Sequence, residues 1–189
     1  MEILYISGSP RRDSNTDILL KNAQSETGGQ FLKLSNFDIR PCRGCWACLE
    51  EGTCAIRDDM AEIIIPMLLH CNAMVLGSPV YFNNVSSILK AFIDRTWCIR
   101  GKLRNRIGGA VAVGRGYGIE SAITAMQAFF LKHEMIAANR GVSGTAFLEG
   151  EISQQKEALE AAAQLGRRIR ELSGLLEKGD QEKKNPDFR

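Results

Sequence analysis

"EILYISGSPRRDSNT", residues 2–16, decides how the rest of the chain is read. A short apolar run ends in Ser7-Gly8, a polar loop follows, and Ser14 or Asn15 stands where a helix cap belongs. That pattern is a buried strand feeding a helix, the first half of a βαβ unit. The alternation continues along the chain. Residues 15–24 read as a helix, 30–35 as a second strand, and 58–71 as a helix that Pro66 kinks. Residues 72–79 form a third strand, 84–97 an amphipathic helix and 107–114 a fourth strand. A helix over 119–132, a fifth strand within 135–146 and a long terminal helix over 151–176 complete the series. The expected fold class is α/β, a doubly wound five-stranded parallel sheet with helices on both faces. Residues 1–174 make a single domain with a cysteine-rich insertion at 41–57, and 175–189 a polar tail.

Bulk properties narrow the function. The 189 residues suit one domain with a real core, and 44 % hydrophobic with 24 % charged residues is ordinary for a globular protein. A net charge of +2 gives no electrostatic case for nucleic acid or an acidic membrane as partner. No apolar run approaches the roughly 20 residues that span a bilayer. "MEILYISGSP" lacks a basic stretch and reads as a strand, not as a signal peptide. The expected location is the cytoplasm, where structural disulfides are disfavoured.

In an open parallel sheet the ligand sits beyond the carboxyl ends of the strands. Three loops belong on that rim. "SGSPRRDSNT" (7–16) offers hydroxyls from Ser7, Ser9, Ser14 and Thr16, and charge from Arg11 and Arg12, at a helix start. Such a site suits a terminal phosphate. It lacks both the G-x4-G-K-S/T and the G-x-G-x-x-G patterns, so a monophosphate ester fits better than a pyrophosphate. "GSPVYFNN" (77–84) places Tyr81 and Phe82 on an exposed turn, as a flat partner would require. "GRGYGIES" (114–121) presents bare backbone through three glycines, which lets a planar ring approach closely. One phosphate site, one aromatic turn and one open backbone on a single rim fit flavin mononucleotide, FMN.

The sequence resembles the NADPH-dependent FMN reductase group of flavodoxin-like proteins and, more narrowly, the iron–sulfur flavoproteins. "GSPRRDSNT", "SPVYFNNVSSILKAFIDRT" and "GGAVAVGRGYG" carry the resemblance over roughly the first 150 residues. It implies that Ser9, Arg11, Ser14, Asn15 and Thr16 take the FMN phosphate. Pro79, Val80, Tyr81, Phe82 and Asn83 would take the ring and ribityl chain, and Gly114, Arg115, Gly116 and Tyr117 would close the ring site. Arg115 is the tuner, a cation that stabilises negative charge at the ring edge. Asp94 and Arg95, in "KAFIDR" (90–95), read as structural residues at a subunit contact or a helix end. The resemblance also implies a homodimer or higher homo-oligomer, and a small-molecule or protein electron donor and acceptor. No side chain is assigned an acid or base role.

"PCRGCWACLEEGTC" (41–54) holds Cys42, Cys45, Cys48 and Cys54, four of the six cysteines, in the spacing C-x2-C-x2-C-x5-C. Zinc ribbons use two C-x2-C pairs further apart. Three cysteines at every third position follow the run of cluster ferredoxins. Iron–sulfur flavoproteins bear a compact cysteine motif at this place, so these four are the expected ligands of a 4Fe–4S cluster. Zinc, or a loop that binds nothing, stays open. Cys71 and Cys98 read as small core residues. His133 is expected on the surface and His70 at a helix end.

Overall fold

A computed structural model describes the backbone of residues 1–184 and the side chains of residues 1–177. Strand β1 (Ile3–Ser7) leads into α1 (Asn15–Ser25), then β2 (Gln30–Lys33), the cysteine loop with the short α2 (Ala47–Glu51), and α3 (Ile65–His70). β3 (Ala73–Pro79), α4 (Ser87–Arg95), β4 (Ile107–Gly114) and α5 (Ile119–Lys132) follow. The short strands β5 (Ile136–Ala137) and β6 (Val142–Thr145) and the terminal helix α6 (Lys156–Lys184) complete the chain. Every strand pair is parallel, in the order β2-β1-β3-β4-β5, with β6 also paired to β4. This is the doubly wound flavodoxin-like order, whose switch point lies between β1 and β3.

Side chains of a strand alternate between faces, and β1 shows how that builds two cores. Ile3 and Tyr5 pack with Leu19, Leu20, Leu165 and Ile169 of α1 and α6. Leu4 and Ile6 pack with Leu68, Phe92 and Phe130 of α3, α4 and α5. Gly108 lets α5 lie close on the sheet, because a Cβ there would fall 2.6 Å from the Phe130 ring.

Three sequence expectations are corrected. The fifth strand is broken: Ala138 still donates to the Gly108 carbonyl at 2.8 Å, but Asn139-Arg140-Gly141 then turns out, with Gly141 at φ +112°. The terminal helix, expected over 151–176, spans Lys156–Lys184 and so runs on into the expected tail, since Leu, Glu, Lys and Gln are good helix formers even in a polar stretch. Residues 185–189 of the expected tail lie outside the described residues. His133 is buried, 3 % exposed, with its ring 4.7 Å from that of Phe129 and Nε2 bonded to Thr96 Oγ1 at 3.0 Å. Burial and the neighbouring Lys132 hold its pKa below the ordinary histidine value. The segment 60–70 opens with a π-helical turn before α3, beside Pro66. Among the described residues, no helix is long and apolar enough to cross a membrane.

Candidate functional site

The ends of β1, β3 and β4 are tied into one rim. Gly8 N–H donates to the Gly77 carbonyl at 2.8 Å. Ser86 caps α4 by accepting from Leu89 N–H at 3.2 Å, and its hydroxyl donates to the Gly8 carbonyl at 2.6 Å. Val80 N–H extends the β3–β4 ladder to the Val113 carbonyl at 2.8 Å.

Behind the first loop a small network fixes its shape. Ser7 Oγ donates to Asp17 at 2.5 Å. Lys33 pairs with the same carboxylate and donates to the carbonyls of Arg11 and Arg12. The largely buried Asp17 carboxylate is thereby paired with a cation that also braces the loop. Ser14 accepts from Asp17 N–H at 3.4 Å as the helix cap, and the leading amides of α1 point outward with the positive end of the helix dipole.

A cavity of about 200 Å³ lies on this rim. It collects ten of the fourteen flavin candidates: Ser9, Arg11, Ser14, Asn15 and Thr16 from the first loop, Pro79, Val80 and Tyr81 from the second, and Gly114 and Arg115 from the third. Phe82, Asn83, Gly116 and Tyr117 are not among its lining residues. Phe82 and Tyr117 are exposed. The side chain of Asn15 is already engaged, bridging the Leu148 carbonyl and Ile152 N–H. Sequence reasoning missed Val113, Ala146 and Phe147, which line the same cavity; the Arg115 guanidinium lies 5.8 Å over the Phe147 ring. Their one signal was an apolar pair, Ala146-Phe147, just beyond a strand end.

The second loop is a tight two-residue turn, with Tyr81 and Asn84 exchanging both backbone bonds at 2.9 and 3.0 Å. Phe82 and Asn83 carry φ of +48° and +61°. A fully exposed phenylalanine in left-handed backbone is strained, and such residues cluster at sites of function. Gly118 supports this turn from below: at φ +68°, its Cβ would lie 2.5 Å from the Asn83 Cα. Gly118→Ala is therefore expected to cost at least about 1–2 kcal/mol for the backbone alone and to displace the aromatic turn. Gly116→Ala, at φ +100° with open space around it, strains only the backbone. Thermal unfolding of the two variants, with FMN titration, checks the contrast.

The cysteine loop forms a second site. Cys42, Cys45, Cys48 and Cys54 are free thiols that line one cavity of about 670 Å³. Cys48 and Cys54 are half-buried against the core, while Cys42 and Cys45 are exposed. Trp46, at φ +61°, turns the loop and meets Trp97 edge to face at 6.0 Å. Buried polar atoms without a partner, Arg95 Nε, Trp97 Nε1 and His133 Nδ1, belong to residues lining the same cavity. Four soft sulfurs facing one space match the ligand set of a thiolate-bound metallocentre. Among the described residues, no three of the metal-binding side chains are gathered within reach of one ion. Cys98 is 9 % exposed and packs at the cavity edge; burial, then the nearby Cys54 and Cys48, push its thiol up to about 11. Cys71, fully buried, is pushed up to about 11 by burial. Asp94 is exposed and pairs with Lys90, whereas Arg95 is buried in the wall of the cysteine cavity.

Residues 1–147 match the family model described as NADPH-dependent FMN reductase. An iron–sulfur flavoprotein of Methanocaldococcus jannaschii is 40 % identical over 194 aligned positions, which span 94 % of this chain and 100 % of the relative. Among solved structures, RosB with a bound 8-demethyl-8-formylriboflavin-5'-phosphate superposes with a TM-score of 0.77 at 14 % identity, covering 94 % of this chain and 81 % of RosB. An archaeal flavodoxin superposes at 0.61 with 11 % identity, covering 92 % and 99 %. At those identities the two structures speak for the fold alone. The chain belongs to the NADPH-dependent FMN reductase family and is a flavin-dependent oxidoreductase of flavodoxin-like fold.

Proposed function

We propose that the rim cavity holds FMN and that the cysteine loop holds a 4Fe–4S cluster, so that the protein passes electrons between a small-molecule or protein donor and an acceptor. The observation that carries the reading is the pair of cavities: one gathers the phosphate-type and ring-type residues of three separate loops, the other gathers all four loop cysteines. When bound, FMN exchanges a hydride or single electrons, and a cluster exchanges single electrons only.

The chain's own residues position these groups. Ser9, Arg11, Ser14, Thr16 and the opening amides of α1 bind a phosphate. Pro79–Asn83 and Gly114–Tyr117 orient the ring, and the Arg115 guanidinium stabilises negative charge at its edge. Phe82 and Tyr117, exposed on the single chain, suit cover by a second copy in a homodimer or larger homo-oligomer. Helix α4 links the two sites: Ser86 begins it at the flavin rim and Arg95 ends it in the cysteine cavity, about 14 Å away at 1.5 Å per residue. Free thiols at all six cysteines suit a reducing compartment such as the cytoplasm.

The visible spectrum of anaerobically purified protein tests the proposal. Flavin alone gives two resolved bands, while a cluster adds broad absorbance beneath them. A second reading is an NAD(P)H-dependent FMN or quinone reductase whose cysteine loop is structural. Two clean flavin bands with NAD(P)H oxidation would select it. A carrier without turnover of its own would show no NAD(P)H oxidation with any added acceptor.

A further inference from the structure

Arg95 heads the fully buried side chains by size, and it holds both borders of the cysteine loop at once. Its Nη1 donates to the Arg40 carbonyl at 2.7 Å, ahead of the first loop cysteine, and to Asp58 Oδ2 at 2.6 Å. Its Nη2 donates to Asp58 Oδ1 at 2.8 Å and to the Ile56 carbonyl at 3.2 Å, after the last. The chain thus leaves the domain and returns to it at one cation. A guanidinium has five N–H donors, and these four bonds use those of the two Nη atoms. The fifth, Nε–H, is out of contact with solvent and without a partner among the described residues. Cys54 stands two residues before the Ile56 carbonyl that Nη2 holds, and it lines the same cavity as Arg95. Stability alone is a poor reason for such a pair, since apolar residues of equal volume often replace a buried ion pair at no loss.

We infer that Arg95 is a positioning residue for the cysteine site: its Nη atoms fix the two ends of the loop, and its spare Nε–H is held for the sulfur of Cys54 as a metal ligand. This rests on the cluster reading above. A hydrogen bond to a ligand sulfur stabilises the more negative, reduced centre and raises its potential. Lysine, a point charge with three donors, cannot both span the loop ends and reach the sulfur.

The test uses whole protein reconstituted anaerobically with iron and sulfide, as wild type, Arg95→Lys, Asp58→Asn and the charge-neutral pair Arg95→Met with Asp58→Leu. Bound FMN reports the fold, and where Arg95→Lys fails to hold FMN the double variant decides. Arg95→Lys and the double variant should give up iron to a chelator with roughly 10–100-fold weaker retention. Their iron-centre midpoint potential should fall while that of FMN stays. Asp58→Asn keeps Nε–H, so it should loosen iron and leave the potential near wild type. Equal retention and potential in all proteins overturn the inference and leave the cluster reading standing. So does weakened retention in every variant with no change in potential, the mark of a merely structural clip. A wild type that holds no iron overturns the cluster reading and the inference together.

Discussion

Asp58→Ala lowers the stability of the protein by about 3–5 kcal/mol, the cost of leaving one member of a buried pair alone. The side chains of Asp58 and Arg95 are both fully buried, and the Asp58 carboxylate also accepts from Arg40 N–H at 3.0 Å and Ala61 N–H at 3.2 Å. Removing it strands a cation in the core and takes the acceptor from Arg40 N–H, while Ala61 N–H keeps the Asp58 backbone carbonyl at 3.0 Å. The effect reappears in wild type as a pH dependence. Burial alone would push the Asp58 carboxyl up, but the Arg95 bonds and the two amides outweigh it and hold the carboxyl below the usual range. A depressed carboxyl contributes stability above its unfolded pKa, near about 4. That contribution fades as pH falls through the lower folded value. Buried, neutral His133 acts in the same direction from a higher pH, because the unfolded chain takes up its proton first. Urea unfolding at pH 7 and at about pH 3 checks both parts. The variant should be far weaker than wild type at neutral pH, and the gap should narrow in acid. Equal midpoints at pH 7 would remove Arg95–Asp58 as the clasp of the cysteine loop.

Arg11→Ala combined with Ser14→Asp should weaken FMN binding by roughly 30- to 2000-fold. A charge-assisted hydrogen bond is worth about 1.5–3 kcal/mol and a neutral one about 0.5–1.5 kcal/mol, and each 1.4 kcal/mol is tenfold. The choice of aspartate separates binding from folding. Ser14 caps α1, so alanine would damage the helix as well, by about 1 kcal/mol. Aspartate caps equally well but sets a negative charge against the phosphate. The double variant should therefore unfold near the wild-type midpoint without FMN and fall well below it at saturating FMN. Unchanged affinity in a titration would place the phosphate elsewhere on the molecule.

The sheet was readable from the sequence because its information is local. Apolar runs such as "EILYIS", each followed by a polar loop and a helical repeat, define strand, rim and helix without tertiary knowledge. The rim residues were readable for the same reason, since the order of elements alone sends three loops to one edge. What was not readable depends on contacts between distant segments. His133 looks like a surface residue in "FLKHEM" and is buried only because Thr96 and Phe129 close over it. Arg95 looks like the last cation of an amphipathic helix, yet its partners lie 37 to 55 residues away. Lys33, at the end of β2, gave no sign that it braces the carbonyls of Arg11 and Arg12. The break in the fifth strand was signalled by "NRG", but strand propensity on either side hid it.

The central claim is that one chain carries two redox groups in separate places. Iron, sulfide and FMN measured on anaerobically reconstituted wild type, beside single alanine variants of Cys42, Cys45, Cys48, Cys54 and Cys71, test it most directly. About four iron and four sulfide per FMN are expected in wild type and in Cys71→Ala. The other four variants should lose the iron and keep the FMN, because the phosphate and ring loops do not draw on the cysteine cavity. Wild type that binds FMN but no iron, or one zinc in its place, would contradict the claim.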